Sequence, residues 1–297
     1  MPVEPAKWWR LSVLSRPWAQ DAVISFLQDQ GCGGVEVQEG KGGNVLLLAY
    51  CDSEPAAQET CQRLENYRRA LVEIHGEDPI SGLDVEGLAD PGWARAWKVH
   101  FKPSKVSRRL AVCPPWMPLE GSGGLKVIQI EPGQAFGTGL HETTRLCLGW
   151  LDELLAKAIP DTALDLGTGT GILAMALALL GVRRVVAVDQ DPVAVEAALG
   201  NMRANGLEGR IELIEGSLER VGERLFPLVV ANLTGPTLRK MALELSGHVS
   251  PGGLLLLSGI LREEMEEVAG SFHQVGMSKL GSRRMGEWGA LLFSGGA

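Results

Sequence analysis

Long apolar runs are absent from this chain of 297 residues. Its hydrophobic stretches are interrupted by charged residues or glycine, and none reaches the roughly 20 residues of a transmembrane helix. The N-terminal sequence, MPVEPAKWWRLSV, also lacks the apolar core of a secretory signal peptide. We therefore expect a cytoplasmic protein that has no membrane partner.

Cysteine is scarce, and its spacing excludes the common zinc sites. No two of the five cysteines form a CxxC pair, and no histidine lies beside them at zinc-site spacing. We expect free thiols in a reducing compartment and no bound metal. The five are Cys32, Cys51, Cys61, Cys113 and Cys147.

Basic residues are outnumbered, with 28 Lys and Arg against 36 Asp and Glu and a formal net charge of −8. A protein that binds nucleic acid over its surface is usually basic, so no stable nucleic-acid binding is expected. An acidic protein suits a small-molecule ligand or a basic protein partner. The length of the chain indicates two domains.

Residues 1–88 are predicted to form a small α+β domain. Its segments follow the order β-α-β-β-α-β, which is the ferredoxin-like arrangement, and the two helices are expected to end at Gly31 and Gly76. The segments are KWWRLSVLS, WAQDAVISFLQDQG, GVEVQEG, NVLLLAYCD, EPAAQETCQRLENYRRALVEIHG and ISGLDVEGLAD.

Residues 89–105 are predicted to form a basic linker. The surrounding stretch, WARAWKVHFKPSKVSRR, carries six basic residues and no acidic one. Trp93, Trp97 and Phe101 are spaced four residues apart, so they can line one side of a short helix. We expect this stretch to act partly as a hinge and partly as a contact surface, although a solvated linker would have the same composition.

Residues 106–297 alternate between apolar strands and helical patterns. Because buried strands that alternate with helices form parallel sheets with helices on both faces, the pattern predicts a doubly wound, Rossmann-like α/β domain. The predicted strands are TALDLG, RVVAVDQD, RIELIEG, LVVANL and GLLLLSGI.

A glycine-rich turn, DLGTGTGIL, joins the first of these strands to its helix. Gly167 and Gly169 would let a ligand approach the backbone at a helix N-terminus. The next strand ends in Asp189, 22 positions after Gly167. An acidic residue at about this spacing binds ribose hydroxyls in nucleoside-binding folds. The sequence therefore predicts a nucleoside site.

The spacing of the glycines narrows the choice of nucleoside. It is GxGxG, with Ile172 where the dinucleotide fingerprint has its third glycine, and the lysine of a phosphate-binding loop is absent. NAD and ATP are therefore disfavoured, and S-adenosylmethionine is the expected cofactor. The domain would then be a class I methyltransferase domain.

Two further segments carry candidate residues. The loop EPGQAFGTGLHETT contains His141, Thr143 and Thr144, and either threonine could cap the helix that follows. The segment VVANLTGP places Asn232 at the end of a strand, where its amide offers a donor and an acceptor. Asn232 is the candidate for positioning the reacting groups, and a turn-forming role is the alternative.

Four segments of the chain, in order, resemble the PrmA family of methyltransferases, which use S-adenosylmethionine to methylate ribosomal protein L11. The segments are EPGQAFGTGLHETT, DLGTGTGIL, AVDQDPVAVEAALGNMRANG and VVANLTGPTL. The upstream aromatic and proline pattern is also similar to the family, at Trp93, Trp97, Phe101, Pro103 and Trp116. The resemblance covers nearly the whole chain.

The resemblance implies cofactor contacts at Thr144, Gly167, Asp189 and Asn232. It also implies that the N-terminal domain recognises the ribosomal protein, which is basic, and that the linker re-aims the catalytic domain at several amines. The chain departs from the family pattern in three places, the first two of them in the loop near the site. They are Glu131 for Asp, Leu140 for Thr, and Leu233-Thr234 for Ile-Leu.

The expected reaction is in-line attack of a lysine or α-amino nitrogen on the sulfonium methyl group. A lysine with a pKa of about 10.4 is mostly protonated at neutral pH, so the site must bind the neutral amine or help to remove its proton. His141 and Glu142 are the candidate bases. The alternatives are methylation of another protein lysine, a nucleic-acid base or a small molecule, or a non-catalytic ribosome-associated module that binds the cofactor.

Overall fold

The computed structural model describes residues 8–30, 32, 35–51, 53–88, 102–119, 123–131, 137 and 139–296. The chain divides between residues 100 and 101 into two compact units. Trp93, Trp97, Phe101 and Gly31 lie outside the described residues. Within the described part, no helix is both long and apolar enough to span a bilayer.

The first unit contains four strands and two helices in the order β-α-β-β-α-β. The strands form one antiparallel sheet in the order β2-β3-β1-β4. The elements are β1 (Trp8–Ser15), α1 (Gln20–Asp29), β2 (Val35–Glu39), β3 (Val45–Cys51), α2 (Glu54–His75) and β4 (Ile80–Leu88).

Helix α2 has both of its ends specified by the sequence. The hydroxyl of Ser53 accepts a hydrogen bond from the N–H of Ala56 at the N-terminus, and Gly76 ends the helix in the left-handed conformation. Alternation along the strands places Leu11 and Leu47 on the buried face of the sheet, where both are fully inaccessible. The opposite face carries polar residues such as Arg10, which is paired with Glu86 at 2.6 Å.

The second unit contains a seven-stranded sheet, a small three-stranded sheet and six α-helices among its described residues. Its first elements are β5 (Ser104–Lys105), β6 (Leu110–Cys113), β7 (Lys126–Gln129), α3 (Glu142–Lys157), β8 (Thr162–Leu166), α4 (Ile172–Leu180), β9 (Arg184–Asp189), α5 (Pro192–Ala204) and β10 (Ile211–Glu215). The remaining elements are β11 (Phe226–Asn232), α6 (Gly235–Lys240), α7 (Ala242–Gly247), β12 (Val249–Leu261), α8 (Met265–Gln274), β13 (Ser278–Met285) and β14 (Trp288–Ser294).

The seven-stranded sheet has the order β10-β9-β8-β11-β12-β14-β13, and its central strands β9, β8 and β11 are buried on both faces. Val185 and Ala187 of β9 pack in the core with α3, α4 and α5. Val186 and Val188 of the same strand pack in a second core with α6, α7 and α8. This doubly wound α/β arrangement is the one that the continuous apolar strands predicted.

The sheet is mixed, however, and an all-parallel arrangement does not describe it. Strand β14 pairs antiparallel with β12 and with β13. The sequence-based prediction stopped at the strand GLLLLSGI and did not include this C-terminal hairpin. Its turn contains Gly286 with a φ of 57°. Pairing between β12 and β14 joins segments that are distant in the chain, so no local pattern indicates it.

Arg109, at the end of the basic stretch, is tied to helix α3. Its Nε lies 2.5 Å from Oδ1 of Asp152, its backbone N–H donates to Oδ2, and its Nη2 donates to the backbone carbonyl of Asp152. Burial raises the pKa of Asp152, but hydrogen bonds from Arg109 and Ser107 outweigh it and hold the pKa below its ordinary value. Arg109 therefore anchors the chain where it enters the second unit.

Arg109→Ala is expected to lower the unfolding free energy by about 2 kcal/mol, because it leaves the buried Asp152 carboxylate without its guanidinium partner. Arg108→Ala is the matched control, since Arg108 is adjacent and exposed. Urea unfolding of the two variants measures the difference. Equal stability of both variants would show that the ion pair adds nothing to folding.

Candidate functional site

A cleft of about 610 Å³ lies at the carboxyl ends of strands β8, β9, β10 and β11. Ligands of open α/β sheets bind at this edge. Loops after all four strands contribute to it, together with residues from α3 and β14. Its lining includes His141, Thr143, Gly167, Gly169, Asp189, Gln190, Asp191, Ser217, Asn232, Leu233, Gly259 and Trp288.

The glycine-rich turn forms the floor of the cleft. Gly167 and Gly169 have φ values of 69° and 55°, which L residues rarely adopt. A Cβ at Gly167 would lie 2.5 Å from Cδ2 of Leu233, so the position has no room for a side chain. Both glycines are needed, because the chain turns sharply here and because the backbone itself is the wall that a ligand meets.

Asp189 ends β9 and is half-buried at the edge of the cleft. Its Oδ2 accepts a hydrogen bond from the N–H of Gly169 at 2.8 Å, and its Oδ1 accepts one from the N–H of Asp191 at 3.1 Å. These bonds fix the carboxylate beside the glycine-rich turn. A carboxylate has about four lone-pair sites, so it retains acceptor capacity toward the cleft.

Asp165 lies beneath the same turn and is fully buried. Its Oδ2 accepts hydrogen bonds from the Thr168 hydroxyl at 2.7 Å and from the N–H of Ala174 at 3.0 Å. Its Oδ1 is buried and has no hydrogen-bond partner among the described residues. Burial raises the pKa of this carboxyl to about 7, although the two hydrogen bonds oppose the shift.

Asp165→Asn is expected to change the pH dependence of stability. The unfolded carboxyl ionises near its ordinary pKa of 3.8, whereas the folded one keeps its proton until about pH 7. Between these values the folded state binds the extra proton, so the group lowers the unfolding free energy as pH rises, by about 1.4 kcal/mol per pH unit. Urea unfolding should show the wild type losing about 1 kcal/mol more than the variant between about pH 5 and 6. Parallel pH profiles would contradict the raised pKa.

The loop before α3 is held against the glycine-rich turn. The Thr170 hydroxyl donates to the carbonyl of Gly137 at 2.6 Å. Asn201 of α5 donates to the carbonyl of Thr170 and accepts from the N–H of Glu131. The two glycine loops of the sequence therefore meet in space. Residues 132–136 and 138 of this loop lie outside the described part of the chain.

The first turn of α3 differs from the expected capping pattern. The N-cap is His141, whose Nδ1 accepts a hydrogen bond from the N–H of Thr143 at 3.4 Å, so neither threonine caps the helix. Thr143 lines the cleft. Thr144 is fully buried, does not line the cleft, and its hydroxyl has no partner among the described residues.

Asn232 lies at the carboxyl end of β11 and faces the first turn of α3. Its Nδ2 lies 3.3 Å from the Thr143 hydroxyl, which is itself 2.9 Å from Nδ1 of His141. Its Oδ1 is buried and has no partner among the described residues. The hydrogen-bonded row of His141, Thr143 and Asn232 therefore ends in a carbonyl oxygen that can still accept a hydrogen bond.

Sequence reasoning missed several residues of the cleft. Trp288 comes from β14, and its ring lies 5.1 Å from that of His141 in an edge-on contact. No sequence motif indicates this residue, because the hairpin that carries it was not predicted. Ser217 follows β10 at the ligand-binding edge. Its position directly after an apolar strand could have identified it as a candidate residue of the site.

Comparison with known proteins gives consistent matches. The family model described as Ribosomal protein L11 methyltransferase (PrmA) matches residues 7–295. A ribosomal protein L11 methyltransferase of Pelotomaculum thermopropionicum is 33% identical over 96% of this chain and 98% of the relative. One of Geobacter sulfurreducens is 39% identical over 83% of this chain and 81% of the relative.

A solved structure is also similar to this chain. It is the ribosomal protein L11 methylase of Lactobacillus delbrueckii subsp. bulgaricus, with a TM-score of 0.61 and 30% sequence identity. The match covers 66% of this chain and 100% of that one.

Proposed function

The chain belongs to the ribosomal protein L11 methyltransferase family, and from this premise we propose that it transfers methyl groups from S-adenosylmethionine to lysine or α-amino nitrogens of ribosomal protein L11. The observation that carries the proposal is the cleft itself. It brings Asn232, whose Oδ1 has no hydrogen-bond partner among the described residues, into the same cavity as Asp189 and the glycine-rich turn.

The cleft fits S-adenosylmethionine, the cofactor of this methyltransferase. Its volume of about 610 Å³ lies within the range of small-molecule sites, roughly 300 to 1,000 Å³. Asp189 would hold the ribose hydroxyls, and the backbone at Gly167 and Gly169 would pass close to the ligand. The cofactor supplies an electrophilic methyl group on a positively charged sulfur, and it needs no phosphate-binding lysine.

The other half of the cleft suits a neutral amine. Among the described residues, Asp189 and Asp191 are the carboxylates that line it, and both lie on the cofactor side. The carboxylate of Glu142 lies 4.0 Å from Nε2 of His141 but does not line the cleft. A lysine ammonium placed beside Thr143 and Asn232 would therefore meet no carboxylate of the lining, and desolvation would lower its pKa. A rotation of the Asn232 side chain would bring its Oδ1 to an N–H of the neutral amine and leave the lone pair of the nitrogen free for attack.

The hydrogen bonds of His141 indicate whether it can remove the proton of the acceptor amine. Its Nδ1 is within hydrogen-bond distance of the Thr143 hydroxyl and accepts from the Thr143 backbone N–H. When this nitrogen is the acceptor, the neutral ring carries its proton on Nε2. His141 is therefore better suited to orienting Thr143 and Asn232 than to acting as a general base. Catalysis would come from positioning and from exclusion of water.

We assign recognition of the ribosomal protein to the first unit, as a ferredoxin-like domain, and we place the enzyme in the cytoplasm. One face of its sheet presents the exposed acids Glu36, Asp84 and Glu86, of which Glu86 is paired with Arg10. The face carries more negative than positive charge, which favours a basic protein partner. Domain limits of 1–88, 89–105 and 106–297 remain part of this proposal.

A methyl-transfer assay tests the function. Purified full-length chain, methyl-labelled S-adenosylmethionine and recombinant ribosomal protein L11 should give labelled L11, and peptide mass spectrometry should locate the label on lysine or the N-terminal amine. Another basic ribosomal protein of similar size is the control substrate. Labelling of neither protein, or of both equally, would overturn the assignment of the acceptor.

If the first unit recognises the ribosomal protein and the second binds the cofactor, a fragment comprising residues 106–297 should keep only the second property. We expect it to bind S-adenosylhomocysteine with the affinity of the full chain, because the described cleft residues all lie within it. Its kcat/KM on ribosomal protein L11 should fall at least about tenfold, because a substrate-binding surface is lost. Calorimetry and the methyl-transfer assay measure the two quantities. Full activity of the fragment would refute recognition by the first unit.

A further inference from the structure

We propose that the amino-terminal edge of the seven-stranded sheet binds a small polyphosphate anion. A second concavity, of about 470 Å³, lies at the amino ends of β8, β9, β10 and β11. The cofactor cleft lies at the carboxyl ends of the same strands. Methyl transfer as proposed above uses none of the residues that line this second concavity.

Two arginines stand side by side along this edge. Thr162 of β8 pairs with Arg184 of β9, and the N–H of Val185 donates to the carbonyl of Arg210 at 3.0 Å. Arg210 precedes Ile211, which pairs with Val185, so it is the next residue along the edge after Arg184. Neighbouring strands are about 5 Å apart, and like charges on adjacent strands are destabilising. An anion between the two guanidinium groups would remove this repulsion.

The acids in the concavity already have partners. Glu208 is paired with Arg203 at 3.3 Å, and Glu212 is paired with Arg224 at 2.8 Å. These two ion pairs cancel their own charges. Neither carboxylate makes an ion pair with Arg184 or Arg210 within the described part of the chain.

Neither Arg184 nor Arg210 makes an ion pair within the described part of the chain, although Arg184 is near enough to Asp161, the partner of Arg183, to help lower the pKa of that carboxyl. The Arg184 side chain makes no hydrogen bond to any described residue, and Arg210 uses Nη2 to donate to the carbonyl of Val182 at 2.7 Å. Both side chains are exposed and retain several N–H donors. The planar guanidinium group matches the oxygen spacing of phosphate, and the Thr162 hydroxyl adds a donor beside them. This local excess of positive charge occurs in a chain whose net charge is −8.

The concavity has the size of a small-molecule site. Its volume lies in the range of about 300 to 1,000 Å³ that such sites occupy. Leu225 lines it and is 51% exposed, so an apolar group attached to the phosphates would have a surface to cover. The group that we expect to bind is a diphosphate, which both free pyrophosphate and a nucleoside diphosphate contain.

Calorimetry of the full chain with inorganic pyrophosphate and with ADP tests the proposal. Saturating S-adenosylhomocysteine is present in both titrations, so that neither probe enters the cofactor cleft. We expect saturable binding of at least one probe that weakens as salt is raised. Tighter binding of ADP than of pyrophosphate would identify a nucleotide as the source of the diphosphate, and equal binding would identify the free anion.

Arg184→Gln and Arg210→Gln should each weaken binding at least about tenfold, because each removes a charged donor. Arg63→Gln is the control. Arg63 is also exposed, but it is paired with Glu59 at 2.5 Å and does not line the concavity. S-adenosylhomocysteine affinity should stay unchanged in all three variants. No binding of either probe, or an equal loss in the Arg63 variant, would overturn the proposal, as would binding of single-stranded RNA alone.

Discussion

Asn232→Ala is expected to lower kcat for methylation of ribosomal protein L11 about a hundredfold or more, since small misplacements of reacting groups cost about this much. The substitution removes the buried Oδ1, which has no other partner among the described residues. It also removes the Nδ2 donor to Thr143. Steady-state kinetics with saturating cofactor measures the loss.

Binding measurements separate the two roles of Asn232. If it positions the amine, the affinity for S-adenosylhomocysteine stays within about threefold of the wild type, because the substitution leaves Asp189, the proposed ribose acceptor, in place. A loss of affinity equal to the loss of kcat would instead make it a cofactor-positioning residue. Turnover at the wild-type rate would exclude Asn232 from the site altogether.

Two further variants serve as controls for this prediction. Asn232→Asp keeps an acceptor oxygen but adds a negative charge, which stabilises the ammonium form of the acceptor. Its kcat should therefore lie between those of the wild type and the alanine variant. The increase of kcat with pH should occur at a higher pH than in the wild type. Thr143→Val removes the hydroxyl that links Asn232 to His141 and should give a smaller loss of kcat. Unchanged kinetics in Thr143→Val would show that the hydrogen-bonded row does not orient Asn232.

Asp189→Ala is expected to weaken S-adenosylmethionine binding about a hundredfold, because hydrogen bonds to a charged acceptor contribute about 1.5–3 kcal/mol. The substitution would remove the acceptor for the ribose and also release the N–H of Gly169. Asp189→Asn should lose less, since its amide oxygen can still accept from Gly169. Calorimetry with S-adenosylmethionine and S-adenosylhomocysteine measures each affinity.

Glu215 provides a matched control for Asp189. It ends the neighbouring strand and pairs in register with Asp189, but it is exposed and does not line the cleft. Glu215→Ala should therefore leave cofactor affinity unchanged. Equal losses in the two variants would mean that general electrostatics, and not a specific ribose contact, explains the effect.

Features that depend on neighbouring residues in the chain were predictable. Gly76 ends α2 in the left-handed conformation as expected, and Pro192 lies in the first turn of α5. The glycine-rich turn and the acid at the end of the next strand were also recognisable. Each of these positions has a local backbone requirement that only certain residues satisfy.

Roles that depend on distant contacts were not predictable in the same way. Thr143 and Thr144 are adjacent in sequence and both are buried, yet only Thr143 lines the cleft. The resemblance to the family implied that Thr144 contacts the cofactor, and this contact stays a proposal. The basic stretch is a further case, because Arg109 is an ion-pair partner of Asp152 and not a free positive charge.

Periodicity and glycine spacing were enough to predict the doubly wound domain, its glycine-rich turn and the cofactor S-adenosylmethionine, because both patterns are local consequences of backbone geometry. The mixed sheet, the contact of Trp288 with His141 and the hydrogen bond of Asn232 with Thr143 become visible only in the folded domain. These contacts join residues from opposite ends of the domain. They arise from strand order and side-chain packing, which no short window of sequence contains.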